Sequence, residues 1–496
     1  MRLCVFPAVF FYLFFVSDSI FAQDAELNIE KRDVASYIRF LASDELQGRK
    51  TGEQSNWVAA RYLAEQFRYF GAKSPAGLRD DYLQVIPFVH VTPPKNGTLT
   101  IGDEVMQLAD DLMIRSSPGG MTEGELLFLP QVLDSEITEE VRGKYVLTYI
   151  GSNNTNDPQA AFALSRNKKK DLMAHGALGI IEIYLGRHPW NLIKRYLGSG
   201  GLAIVEEEEG DSEFIVLAIN NKMDEVIADL MKGKKRNFKL ETDGPVVIKQ
   251  PSANVVGVIE GTDPVLKNEY IALSAHFDHV GTSSSSERPQ TQIDSIFNGA
   301  RDNAFGVAAL ISAAEALAIE PAKRSILLIA CTAEEIGLLG SKYFVENPVV
   351  PLDKIVFNLN TDGAGHSDSS IISVMGLNRV GAATEISEAC LAYGLEPYAD
   401  PAPEQNLFDR SDNVSFAAVG IPAPTFSPGF REFDKDIMRH YHQPSDEVET
   451  LDFDYVLKFC RAYALCARLI ANKDERPMWS SGDKYEEAYK HLYQVK

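Results

Sequence analysis

At 496 residues, with 45% hydrophobic and 24% charged side chains, the chain has ordinary globular composition and enough length for two or three domains. Its 70 acidic residues against 48 basic ones leave a net charge of -22. That balance argues against nucleic acid as a partner, because phosphate contacts require Lys and Arg.

The N-terminus reads as a secretory signal over residues 1–22. Arg2 supplies a weak positive start, Val5 to Val16 is almost wholly apolar, Asp18 and Ser19 break the run, and Ala22 offers a small residue before Gln23. The apolar run is too short to span a bilayer comfortably, and no later stretch reads as membrane-spanning. The mature protein is therefore expected to be exported, periplasmic or extracellular, without a stable membrane span. Cys4 leaves with the signal. Cys331, Cys390, Cys460 and Cys466 remain, without CxxC or zinc-finger spacing, and are expected as buried free thiols in a compartment that permits a disulfide.

Apolar residues at three- and four-residue spacing predict two helices between Asn28 and Phe70, parted by the turn Gly48-Arg49-Lys50-Thr51-Gly52 and stopped at Gly71. Asp81 to Phe88 alternates like a strand. From residue 92 to 249 short strand candidates alternate with Gly/Pro/Asn turns: Gly97–Ile101, Gly124–Leu129, Lys144–Ile150 and Ile180–Ile183, with one helix near Lys168–Ala174. This stretch reads as a mostly-β insert without a metal-ligand cluster, and Glu206–Glu209 as a solvated loop. Residues 23–91 and 250–473 then make one discontinuous domain, with 474–496 as a peripheral tail. In the second part of that domain strands (Val255–Ile259, Tyr270–Ala275, Ser325–Cys331, Ile355–Leu359, Ser370–Met375) alternate with helices (Val307–Ala318, Leu338–Val345, Ala382–Tyr393, Phe453–Ile470). The pattern predicts an α/β fold, a mixed sheet with helices on both faces in three layers.

Function in such sheets collects at the carboxyl ends of strands. His276 and Asp278 follow one strand, Glu334 and Glu335 a second, Asp362 a third, and Asp302 and His442 lie in loops. Imidazole and carboxylate are good zinc donors, and this set suits two ions about 3.5–4 Å apart, with Asp302 as the bridge. Asp278 stands too near His276 to ligate beside it and is expected to take the far ring N–H and orient the imidazole. One of the adjacent glutamates would bind metal and the other serve as general base. Each residue also has a plainer reading: a helix cap for Asp302, a helix-dipole partner for Glu334-Glu335, a turn for Asp362, a surface loop for His442. His440 and His366 are rival ligands, and His279 is expected to pack or hydrogen-bond nearby.

The stretches Ser274-Ala275-His276-Phe277-Asp278-His279, Asn298-Gly299-Ala300-Arg301-Asp302-Asn303, Ala333-Glu334-Glu335-Ile336-Gly337-Leu338-Leu339-Gly340-Ser341, Asn360-Thr361-Asp362, Arg410-Ser411-Asp412 and Tyr441-His442-Gln443-Pro444-Ser445-Asp446 together resemble peptidase family 28 of the zinc metallopeptidases. Leu41 to Arg49 is similar to the N-terminal part of these enzymes, and the insert to a protease-associated domain. The resemblance implies a zinc-exopeptidase fold and two zinc ions per chain. It places His276, Asp302 and Asp362 at one or both zincs, Glu335 and His442 at the second, and Glu334 as general base. An aminopeptidase acting on peptide substrates is the first expectation. A carboxypeptidase, a dipeptidase, a glutaminyl cyclase or a non-catalytic binding protein are the alternatives. Phe305 stands where serine is common and Asn413 where histidine is common. Asn360 competes with Asp362 for the ligand position, and the spacing to Gly365 favours Asp362.

Overall fold

Eight strands of one unit are built from the apolar runs. They are β1 (Leu83–Ile86), β2 (Ser252–Ile259), β3 (Tyr270–His276), β4 (Ser325–Cys331), β5 (Ile355–Thr361), β6 (Ile371–Met375), β7 (Glu396–Ala399) and β8 (Thr425–Pro428). The computed structural model describes residues 25–78, 81–108, 110–151, 158–186, 189–197, 200–204, 214–283, 294–363 and 365–495. The expected signal peptide, Glu206–Glu209 and residues 284–293 lie outside the described residues. The described residues divide into two compact units, one up to Gln84 and from Asn254 onward, the other within Val85–Ala253.

The order of the large sheet is β1-β2-β4-β3-β5-β8-β6-β7. β3 runs parallel to β4 and β5, while β2 is antiparallel to β4 and β6 antiparallel to β8. Every residue of β4 and β5 is buried, as expected of strands covered on both faces. Polar residues interrupt this apolar centre, and three of them form a chain of hydrogen bonds. Asn358 donates to Ser274 Oγ (2.9 Å), and Ser274 donates to Asn360 Oδ1 (2.8 Å) across the β3–β5 pairing. Burying these groups without partners would cost roughly 1–3 kcal/mol each.

Helices α1 (Lys31–Leu41), α2 (Gln54–Tyr69), α3 (Phe305–Ile319), α4 (Leu339–Glu346), α5 (Ala383–Ala392), α6 (Asn413–Ala418) and α7 (Phe453–Asn472) complete the parts of this unit that position the site. α7 starts at Asp452, whose carboxylate accepts from the N–H groups of Asp454 and Tyr455. It packs along α3, where Phe305 meets Phe459 edge to face at 4.8 Å. Ala300–Ile319 is long and apolar enough to cross a membrane, which the sequence reading passed over. Yet 83% of its apolar window is buried inside the protein, as in a core helix. Phe305 is 1% exposed, so the aromatic that departs from the common serine has become core. Phe305→Ala should destabilise the unit by about 3–5 kcal/mol in denaturant unfolding, and a loss under 1 kcal/mol would show the site collapses around the gap.

Two sequence expectations differ from the structure. The strand read over Asp81–Phe88 is two strands, β1 and Phe88–Thr92, because Pro87 has no N–H to continue a ladder. The tail from Asp474 is docked: Trp479 is buried and donates to Gly420 O at 3.0 Å, Asp483 pairs with Arg379, and Glu486–Tyr493 is helical. The four cysteines are buried and free.

The second unit holds an eight-stranded sheet in the order Glu104–Gln107, Gly97–Ile101, Asn237–Thr242, Gly120–Phe128, Tyr145–Tyr149, Gly179–Ile183, Ile215–Ile219, Leu112–Ser116, plus a three-stranded sheet that includes Phe88–Thr92. The helix read near Lys168–Ala174 begins earlier, at Pro158.

Candidate metal centre

β3 ends at His276, which lies opposite Cys331 in the parallel pairing with β4. Both strands therefore release their chains at the same edge, and the turn Thr332-Ala333-Glu334-Glu335 comes up beside His276. Two of the plainer readings, the helix cap and the helix-dipole partner, fail on local structure. Asp302 does not cap α3: it is extended (φ -119°, ψ 93°), and Ala304 occupies the cap position of α3. Glu334 and Glu335 precede α4, which starts only at Leu339.

The side chains converge. His276 Nε2 lies 3.3 Å from Asp302 Oδ1 and 3.2 Å from Asp362 Oδ1. His442 Nε2 lies 3.1 Å from Asp302 Oδ2 and 3.0 Å from Glu335 Oε2. Among the described residues two groups of potential donors follow: His276, Asp302 and Asp362 in one, and His279, Asp302, Glu335 and His442 in the other, with donor atoms within 4.8 Å of one another in each. Asp302 belongs to both and turns one oxygen to each. The imidazoles and carboxylates, buried or half-buried, form the donor chemistry that suits zinc, so the residues present fit a pair of such ions. Glu334 joins neither group, yet it lines the same cavity as His276, Asp302, Asp362 and His442.

Electrostatics separate the two adjacent glutamates. Burial and the Asp302 charge oppose ionisation of Glu335, but His442 and His279 outweigh them and hold its carboxyl down to about 2. For Glu334 burial dominates and, with Asp362 and Glu335 adding to it against His276, pushes the carboxyl well above the ordinary range. Burial also works against charge on the histidines. Asp362 and Glu334 nevertheless raise His276 well above its ordinary value, and Glu335 and Asp302 raise His442 to about 10.

The surroundings refine the expected roles. His276 Nδ1 meets the carbonyl of Asp278 at 3.2 Å, whereas the Asp278 carboxylate stands 3.8 Å away. The expected orienting contact is thus made by the main chain. The carboxylate instead accepts from Glu334 N (3.1 Å) and Thr51 Oγ1 (2.9 Å), which fixes the glutamate turn. Asn360 spends its amide on Ser411 and Thr425, so Asp362 alone of the two rivals faces His276. Asn413 likewise turns its amide to the carbonyls of Phe408 and Ala423. His440 Nδ1 lies 2.7 Å from Ser445 O, and His366 packs on Tyr455; neither joins a donor group. His279, read as a neighbour, lies with Nδ1 2.7 Å from Glu335 Oε1 and stands within the second group. Its position directly after Asp278 was the available signal. Asp446, which sequence reasoning left aside, accepts from the N–H groups of Arg301 (2.8 Å) and Asp302 (3.1 Å) and so holds the residue common to both donor groups by its backbone.

Residues 254–466, which contain both donor groups and Glu334, match the model of peptidase family M28. The chain carries a peptidase family M28 domain. Among curated relatives, aminopeptidase YwaD of Bacillus subtilis (strain 168) is 26% identical over 231 residues, 44% of each chain. A probable leucine aminopeptidase 2 of Aspergillus oryzae is 23% identical over 457 residues, covering 86% of this chain and 80% of that one. The chain thus spans under half of the Bacillus relative. Among solved structures, an aminopeptidase from Aneurinibacillus sp. strain AM-1 superposes with a TM-score of 0.52 at 20% identity, over 91% of this chain and 97% of the other. That likeness extends the mixed α/β fold beyond the M28 domain itself.

Proposed function

We propose that this protein is a two-zinc aminopeptidase that releases N-terminal residues from peptides. The observation that carries the reading is the pair of donor groups sharing Asp302, with Glu334 beside them and outside both. The names of the relatives support it. His276 and Asp362 would hold one ion, Glu335 and His442 the other, and Asp302 both. Bound zinc would supply Lewis acidity, lowering the pKa of water and polarising a peptide carbonyl.

The chain's own residues supply the rest. Glu334 takes the proton of the attacking water and gives it to the leaving amine, a shuttle that suits a carboxyl whose pKa burial has raised. The cavity wall of Met375, Leu407, Phe430 and Phe433 would exclude water and favour an apolar first side chain. Peptides with free, blocked and N-terminal glutamine ends, assayed beside carboxypeptidase substrates, test the reading. Turnover confined to blocked or glutaminyl peptides would overturn it.

Zinc uptake should also release protons. A zinc-ligating imidazole is neutral, yet His442 is raised to about 10 and His276 well above its ordinary value, so both carry a proton at neutral pH without the metal. Calorimetry in buffers of different ionisation enthalpy should count protons released on zinc binding at pH 7, and affinity should rise with pH. No release would contradict the assignment of these histidines. In the metal-free protein the sign reverses. The stability from the His442 ion pairs is complete below the ordinary value of 6.5 and is lost as pH rises through about 10.

A further inference from the structure

The sequence resemblance covers Leu41–Arg49 but gives that stretch no task, and none of its residues contributes a donor to the centre. Arg49 is nonetheless fully buried, 0% exposed. Its guanidinium donates to four main-chain carbonyls: Phe277 (2.8 Å), Asn298 (2.6 Å), Gly299 (3.0 Å) and Leu41. Phe277 follows the ligand His276, and Asn298-Gly299 opens the loop that carries the ligand Asp302.

The neighbours of Arg49 extend the same clasp. Gly48 is left-handed (φ 68°), and a Cβ there would stand 2.4 Å from Gly281 O and 2.5 Å from Phe297 O, so only glycine allows the approach. Gly281 N–H donates to Gly48 O at 3.1 Å. Thr51 Oγ1 donates to the Asp278 carboxylate and accepts from Ala333 N (3.1 Å), one residue before Glu334. Three loops that bring catalytic groups from distant parts of the sequence are thus gripped by Gly48, Arg49 and Thr51.

We propose that Arg49 is a positioning residue for the metal centre, which it serves by locking the His276 and Asp302 loops together and by setting a permanent positive charge behind their carboxylates. The inference rests on the metal-centre reading above. Carbonyl oxygens alone would be satisfied by any neutral donor. A guanidinium adds a planar fork that reaches several at fixed angles, and a charge where Asp446, Asp302, Asp278 and Glu335 accumulate negative charge. Burial lowers its pKa to about 10, against the pull of those carboxylates, so it stays charged at neutral pH.

The test compares wild type, Arg49→Lys and Arg49→Met, each prepared metal-free. Zinc affinity is read by chelator competition, ligand geometry by the visible spectrum of the cobalt-substituted protein, and folding by thermal melting without metal. Zinc affinity should fall about 10–100-fold in Arg49→Lys, which keeps the charge but loses the fork, and further in Arg49→Met. The cobalt spectrum should change in both, and kcat should fall more than KM rises. Should Arg49→Met fail to fold, Thr51→Val carries the same comparison, with the Glu334 turn released and kcat lowered. Wild-type zinc affinity and an unaltered cobalt spectrum in folded Arg49→Lys would overturn the proposal, leaving Arg49 a stability residue. A wild-type protein that binds fewer than two zinc ions would instead overturn the two-zinc reading on which it stands.

Discussion

Glu334→Gln should lower kcat by about 10²–10⁴-fold while both zinc ions stay bound. The expectation follows from three properties of one side chain. Glu334 lies outside both donor groups, so its loss removes no ligand. It lines the cavity that His276, Asp302, Asp362 and His442 also line, so it can reach a substrate held there. Burial and neighbouring carboxylates raise its pKa, so it can both accept and return a proton. Glutamine keeps the shape and loses the proton chemistry. Metal analysis and steady-state kinetics on one preparation check the prediction. Near-normal turnover with two ions bound would remove Glu334 as the base, whereas loss of an ion would make it a ligand.

The larger effect on metal should come from Asp302→Asn. Asp302 Oδ1 faces His276 at 3.3 Å and Oδ2 faces His442 at 3.1 Å, so one substitution strikes both donor groups. An amide offers one oxygen and no charge. Both zinc affinities should weaken by more than the roughly 10–100-fold expected for an outer-shell change, and activity should fall to background. His442→Ala, by contrast, should weaken the second group chiefly. Titration of the metal-free variants with zinc distinguishes them. Retention of two tight ions in Asp302→Asn would exclude a shared ligand.

Apolar strand runs and their chain order were legible because a strand buried on both faces must be largely apolar, and β3, β4 and β5 are, despite the polar Ser274, Asn358 and Asn360. The candidate ligands were legible because metal chemistry draws on few residue types and a parallel sheet presents them at strand ends. The division at Pro87 was legible in principle: a proline with no N–H stood inside the alternating run. The docking of the tail was not, since Trp479 finds its pocket against residues such as Gly420 that lie far back in the chain.

The residue types that can hold zinc and the strands that deliver them were determined by the sequence alone, because each is a property of a short window. The tertiary structure alone decided which atom does each task. It gave the orienting contact to the Asp278 carbonyl, put its carboxylate under Glu334, brought His279 among the donors, and closed Arg49 over loops 228 and 250 residues away. Those contacts depend on the geometry of chain segments that meet only after folding, and no local pattern of hydrophobicity or charge encodes a carbonyl's direction.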